Sequence, residues 1–285
     1  MPDTPSSDDE LVAAARAGSA EAIDALLDKY QQRIFGFGLR MCGDAEDAKE
    51  VLQDTLLAAA RNVKDFRSGS SLSTWLYTIA RSFCIKRRRR TKYAPTEDLS
   101  FDALGVALPA AGPAPDEIAS QREVRRALAG VIESLDSDSR EVLVLRDIEG
   151  LTAPEVADIT ATSVDAVKSR LHRARASVRE LLEKRLGDGP VARRPDCPDV
   201  LTAFSKKLEG DLAPTLCADL ERHVDACAAC RGACDSLKRA LATCAHLAAR
   251  PVPEDIKESV RKAVREALTA AGPARGGGPA PGRRR

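Results

Sequence analysis

The sequence has no apolar run of the roughly 18 residues that a membrane-spanning helix needs. Its first ten residues, MPDTPSSDDE, are acidic where an export leader would be basic and then apolar. The protein is therefore expected in the cytoplasm, with no membrane partner. An excess of charge of one sign is lacking too, since 44 Lys and Arg stand against 43 Asp and Glu. The whole molecule is no polycation that would coat nucleic acid, so any DNA binding must come from local patches. Alternation of β-branched with polar residues, the mark of half-buried strands, is scarce. Apolar residues recur instead at helical spacing, as in Ile23, Leu26, Leu27 and Tyr30, and again in Val51, Leu52, Thr55 and Leu56. The expected fold class is all-α.

At 285 residues the chain exceeds one ordinary helical core. Three weak places divide it: a Pro/Ala/Gly-rich stretch from Tyr93 to Pro115, the segment GDGPVARRP from Gly187 to Pro195, and a Gly/Pro/Arg-rich tail after Ala271. The division predicts a first unit over 8–92, a flexible linker over 93–115, a second unit over 116–186, a third over 195–271 and a disordered tail over 272–285.

In the first unit, Lys86, Arg87, Arg88, Arg89 and Arg90 follow a segment carrying Trp75, Tyr77 and Phe83. Aromatic faces stack on extruded bases at about 1–3 kcal/mol per base while neighbouring cations hold phosphates, a combination suited to single-stranded DNA. The same residues also read as helix core and as a solvated helix end favoured by the macrodipole. Three motifs stand beside them: Gly43-Asp44-Ala45-Glu46-Asp47-Ala48, Val51-Leu52-Gln53-Asp54-Thr55, and Ser73-Thr74-Trp75-Leu76-Tyr77-Thr78-Ile79-Ala80-Arg81. Together they resemble region 2 of the extracytoplasmic-function sigma factors, subunits that direct RNA polymerase to promoters. The resemblance implies that the helix bearing Asp47, Gln53 and Asp54 docks on the clamp helices of the polymerase β′ subunit. It implies also that the loop containing Arg67 and Ser70 helps capture a flipped base of the −10 element.

The second unit contains LTAPEVADITATSVDAVKSRLHRAR between Leu151 and Arg175, which reads as a helix, a short break and a second helix that Ser163 can N-cap. Lys168, Arg170, His172, Arg173 and Arg175 crowd two turns of that second helix. In a major groove they would flank it with phosphate contacts, leaving Asp165, Lys168, Ser169 and His172 as base readers. Cations on an amphipathic helix also commonly just face solvent. The segment from Val167 to Arg175 is similar to the −35-reading helix of sigma region 4, a region that also meets the polymerase β flap. It departs from the family at Ala161, where Gly is usual. If that turn requires positive φ, a non-Gly residue there is strained.

Six of the eight cysteines fall between Cys197 and Cys244. In a reducing compartment such clustering points to metal or redox chemistry rather than structural disulfides. His223, Cys227 and Cys230 form H-x₃-C-x₂-C, and on one helix those offsets put three soft ligands on a single face. Cys197 would complete a tetrahedral site of three thiolates and one imidazole, which suits zinc and would contribute an apparent ~10–16 kcal/mol to so small a unit. Cys217, Cys234 and Cys244 are surplus. They are read either as inert buried thiols or as ligands of a regulatory metal, for which zinc, copper and cadmium are all soft enough. Cys42 and Cys84 are read as inert, and His246 as a surface or core residue.

This third unit resembles the zinc-binding anti-sigma domain, in which a later helix packs on the sigma factor; Ile256, Val260, Val264 and Leu268 at i,i+4 spacing mark a candidate for that helix. A cysteine-rich domain fused to a sigma factor is also the arrangement of CorE-type, metal-dependent sigma factors. The resemblance thus implies a metal-regulated factor, or a factor whose structural or redox-sensing zinc domain is a built-in inhibitor, with contact between the C-terminal unit and the rest of the chain. An enzyme is disfavoured. All four ligand positions are protein side chains, no general base follows a metal-binding His, no phosphate-cradling Gly loop occurs, and no βαβ pattern surrounds Cys227-x-x-Cys230.

Overall fold

The computed structural model describes residues 7–63, 66, 70–91, 115–186, 197–245, 247 and 251–270. Arg67, His246, the expected linker up to residue 114 and the expected tail lie outside them, as does the side chain of Leu268. Among the described residues there are helices and no strand. They are α1 (Asp8–Arg16), α2 (Ala20–Cys42), α3 (Ala45–Asn62), α4 (Leu72–Thr91), α5 (Pro115–Ser134), α6 (Ser137–Leu143), α7 (Ala153–Thr160), α8 (Val164–Leu186), α9 (Val200–Leu208), α10 (Pro214–Ala226), α11 (Ala228–Ala245) and α12 (Glu254–Ala270). A wider, π-type turn, Val144–Ile148, continues α6.

The first four helices pack around α2, whose Ile34 and Phe37 are fully buried. The α2–α3 corner needs glycine twice. Gly43 ends α2 at φ 76°, freeing Asp44 to cap α3 by accepting the Asp47 N–H. A Cβ at Gly38 would stand 3.2 Å from the Ala48 Cα, so the two helices approach almost backbone to backbone. Tyr77 of α4 lies edge-on to Phe37, ring centroids 5.4 Å apart.

Helix α7 opens with a reciprocal cap between Thr152 and Glu155 and ends in a Schellman turn: the Thr162 N–H bonds to the Ala157 carbonyl at 3.0 Å. Ala161 occupies the left-handed position of that turn at φ 53°, the one non-glycine with positive φ among the described residues. Ser163 then accepts the Ala166 N–H at 3.2 Å and starts α8. Helix, turn and helix therefore follow from capping chemistry on both sides of one strained residue.

Buried side chains form two clusters. One runs through α1 to α8 and takes in Cys244, Val252, Ile256, Val260 and Val264. The other is small, built by α9, α10 and α11 around Val200, Leu201, Leu220, Cys234 and Leu237.

Candidate metal centre and the surfaces it adjoins

The ligand atoms of Cys197, His223, Cys227 and Cys230 all lie within 4.8 Å of one another. Cys197 Sγ is 3.9 Å from Cys227 Sγ, and His223 Nε2 is 3.3 Å from Cys230 Sγ. A tetrahedron with Zn–S bonds of about 2.3 Å separates its sulfurs by roughly 3.8 Å, so the four residues fit zinc. The helical reading of H-x₃-C-x₂-C needs correction. His223 is on α10 and Cys230 on α11, and Cys227 between them is extended at φ −120°. The break lets Cys227 meet the first turn of α11, where the Cys230 N–H holds its thiol below the ordinary range, while burial pushes Cys230 up to about 12.

The surplus cysteines are not brought together. Cys217 is half-buried on α10, Cys234 is buried in the small core, and Cys244 is fully buried in the large one with its thiol pushed up to about 12 by burial. Among the described residues, the four-ligand group is the one cluster of His, Cys, Asp or Glu with metal-binding spacing.

Cys197 lies three residues before α9, so the site ties α9 to α10 and α11. That small core sits directly on α8. Lys168 pairs with Asp211 at 2.5 Å, and His172 Nδ1 lies 2.6 Å from Ser205 Oγ. Arg175 meets Glu209 at 2.8 Å and Asp147 at 2.5 Å, and Arg146 donates to Glu209 at 3.0 Å. Burial, with Arg175 and Lys206 close by, lowers the His172 pKa, which suits a neutral imidazole facing the Ser205 hydroxyl. Of the other candidate readers, Asp165, Ser169 and Arg173 remain exposed, and Arg170 pairs with Asp138 at 3.4 Å.

Helix α12 lies along α3 and α2, burying Ile256, Val260 and Val264, while Arg261 pairs with Asp28 and Arg265 with Asp24, each at 2.5 Å.

Comparison with known proteins places these units. Residues 26–93 match the family Sigma-70 region 2, residues 125–178 match Sigma-70 region 4, and residues 197–231 match a family described as a zinc-finger. The RNA polymerase sigma-H factor of Pseudomonas aeruginosa is 32% identical over 186 residues, covering 63% of this chain and 96% of that protein. The chain belongs to the extracytoplasmic-function sigma factors.

ECF RNA polymerase sigma factor SigM of Mycobacterium tuberculosis is likewise 32% identical, over 62% of this chain and 85% of the relative. Among solved structures, CnrH, determined with the cytosolic domain of CnrY, is 28% identical over 62% of this chain and 97% of that one, at a TM-score of 0.45. Sigma factors direct initiation of transcription by binding RNA polymerase and promoter DNA, and they are not enzymes.

In region 2 of this sigma factor, Trp75 is half-buried against Phe66 with ring centroids 5.0 Å apart. Ser70 and Lys86 are exposed, with the Lys86 ammonium 5.0 Å from the Phe83 ring. Arg87 turns back onto Asp47, Glu50 and Asp54, so a cation expected at DNA pairs with Asp47 and Asp54, the two acids expected at polymerase. Gln53 is half-buried beside them, and the exposed Arg88 donates to Ser137. No helix among the described residues is long and apolar enough to cross a membrane.

Sequence reading missed two groups. Ser205, Glu209 and Asp211 read as ordinary solvated residues, and only their placement opposite the cations of α8 gives them a role. Arg33, Arg40 and Glu149 also escaped notice, and Tyr77 was read only as a DNA-side aromatic, although Arg33 and Arg40, seven apart at the two ends of an apolar stretch of α2, are a detectable signal.

Proposed function

We propose that this sigma factor is kept off promoters by its own C-terminal unit, and that the Cys197, His223, Cys227, Cys230 metal site decides how firmly. The observation that carries the reading is the polar contact of Ser205, Glu209 and Asp211 with His172, Arg175 and Lys168, on the helix that matches the −35 reader. Carboxylates on cations that would otherwise hold phosphates compete directly with DNA. Helix α12 adds a second obstruction by lying along α3, the helix whose Asp47, Gln53 and Asp54 would meet the polymerase β′ clamp helices. When open, region 2 would use Ser70, Trp75, Lys86, Arg87 and Arg88, with Arg67 in the adjoining loop, at the −10 element. Region 4 would use Ser163, Asp165, Lys168, Ser169, Arg170, His172 and Arg173 at the −35 element and would approach the β flap. The protein would act in the cytoplasm.

Zinc is the resident metal best suited to the four ligands, and it would fix α9 to α10 and α11 so that the covering face keeps its shape. Copper or cadmium, competing for the same thiolates, is the form of signal this donor set favours. Cys217, Cys234 and Cys244 could join such a response only after rearrangement, since they lie apart in the closed form.

The test is promoter-specific transcription with purified core polymerase, comparing the full chain with a chain ending at Leu186, each with and without a zinc chelator and with added Zn²⁺, Cu²⁺ or Cd²⁺. The proposal expects little transcript from the zinc-loaded full chain, most from the shortened chain, and an intermediate amount after chelation. Equal transcript from both chains under every condition would overturn it, and transcript appearing only with an added metal would mean activation by metal instead.

A further inference from the structure

Glu149, between the wide turn after α6 and α7, has a fully buried carboxylate. Among the described residues, the side chains that reach it, Tyr77, Arg33 and Arg40, come from region 2. Tyr77 donates its hydroxyl to Oε2 at 2.5 Å, Arg33 Nε approaches Oε2 at 3.4 Å, and Arg40 NH1 stands 3.5 Å from Oε1. Arg33 also donates to the Glu149 backbone carbonyl at 2.6 Å. Arg40 extends the network in a third direction, because its other terminal nitrogen donates to the carbonyl of Leu247, between α11 and α12. Arg40 is itself only 7% exposed. Burial pushes the Glu149 carboxyl above the ordinary carboxylate range, opposed by Arg40, the Tyr77 hydroxyl and Arg33, so the node is tolerated only while those partners stay in place.

We infer that the Glu149–Arg40 node couples two openings that are otherwise separate, parting of region 2 from region 4 and release of the C-terminal helix from region 2. If the chain at Leu247 moves away, Arg40 loses one of its anchors and holds Glu149 less well. If region 4 moves away, Arg40 loses its carboxylate together with the cover of Ala129 and Ile132, and water then competes for its bond to Leu247. Removing one member of a buried charged pair leaves the other uncompensated, which makes such a node more sensitive than its size suggests. Coupling of this kind is reciprocal, so each opening must ease the other by the same factor. The inference deepens the self-occlusion reading, but it concerns the internal mechanics of the closed chain and can be measured without polymerase or promoter.

The experiment is hydrogen exchange by mass spectrometry on the full, zinc-loaded chain, following segments 45–62, under α12, and 144–160, around Glu149. Glu149→Gln keeps the shape and an acceptor for Tyr77. It is expected to speed exchange at least tenfold in 144–160 and, by a similar factor, in 45–62, which Glu149 does not touch. Arg265→Ala, at the far side of α12, is expected to speed both segments together as well. Arg40→Lys, which keeps the charge but cannot reach both anchors, should lie between wild type and Glu149→Gln in both segments, and it answers the objection that the first variant merely misfolds. Faster exchange confined to 144–160 in Glu149→Gln and to 45–62 in Arg265→Ala would overturn the coupling. If both segments respond together while transcription is indifferent to the C-terminal unit, the occlusion reading fails and the coupling stands.

Discussion

On α8 the C-terminal unit presents carboxylates and a serine to the cations of the helix proposed to read the −35 element, whereas on α3 it presents a stripe of valine and isoleucine. The first contact is specific in its chemistry and graded in strength. Glu209, only 3% exposed and shared by Arg146 and Arg175, works where water is excluded, while Lys168 and Asp211 remain partly in solvent. The second contact is apolar at its centre, with Val260 and Val264 almost fully buried, and ionic only at its edge through Arg261 and Arg265. Salt and competing polyanions should therefore loosen the first and spare the second. Under the proposed self-occlusion, a factor closed in two such different ways would open in two steps.

Metal removal should separate the surfaces most widely. The small core of α9, α10 and α11 has few large apolar residues, so losing a ligand set with an apparent contribution of ~10–16 kcal/mol should unfold it. Chelation is then expected to speed exchange along Lys168 to Arg175 while α3 keeps most of its protection; an equal change on both helices would merge the two surfaces into one. Next in size is Val264→Asp, which puts an unpaired charge at a fully buried position. It should cost on the order of 3 kcal/mol, a roughly hundredfold release of α12, with no relief from added salt. Titration with core polymerase at two ionic strengths checks it. The smallest effect belongs to Asp211→Asn. Because the pair it breaks is partly solvated, the gain in affinity for a −35 duplex should correspond to about 0.5 kcal/mol, roughly twofold, and should fade at high salt.

Much of this was legible in the sequence, and the reasons are local. Ser163 announces the second helix of the helix-turn-helix because a cap is written within three residues of the group it satisfies, and the Thr152–Glu155 cap seen in the structure follows the same local rule. The expectation of strain at Ala161 follows from its place in the turn, and φ 53° is what that turn imposes. His223, Cys227 and Cys230 disclose a metal site because soft ligands at short spacing have few other uses, yet the same spacing fits a continuous helix, and nothing in it foretells the break at Cys227. What the sequence hid depends on docking. Asp211 resembles any surface carboxylate, and Glu149, beside Gly150, resembles a turn residue. Each acquires its role only when another unit closes over it.

The most direct test of self-occlusion is the affinity of core polymerase and of a −35 duplex for the zinc-loaded full chain, set against the chain ending at Leu186. Binding at least tenfold tighter by the shortened chain, for both partners, is the result the account predicts. Equal affinities would mean that the C-terminal unit leaves both working surfaces of the sigma factor free, and would contradict it.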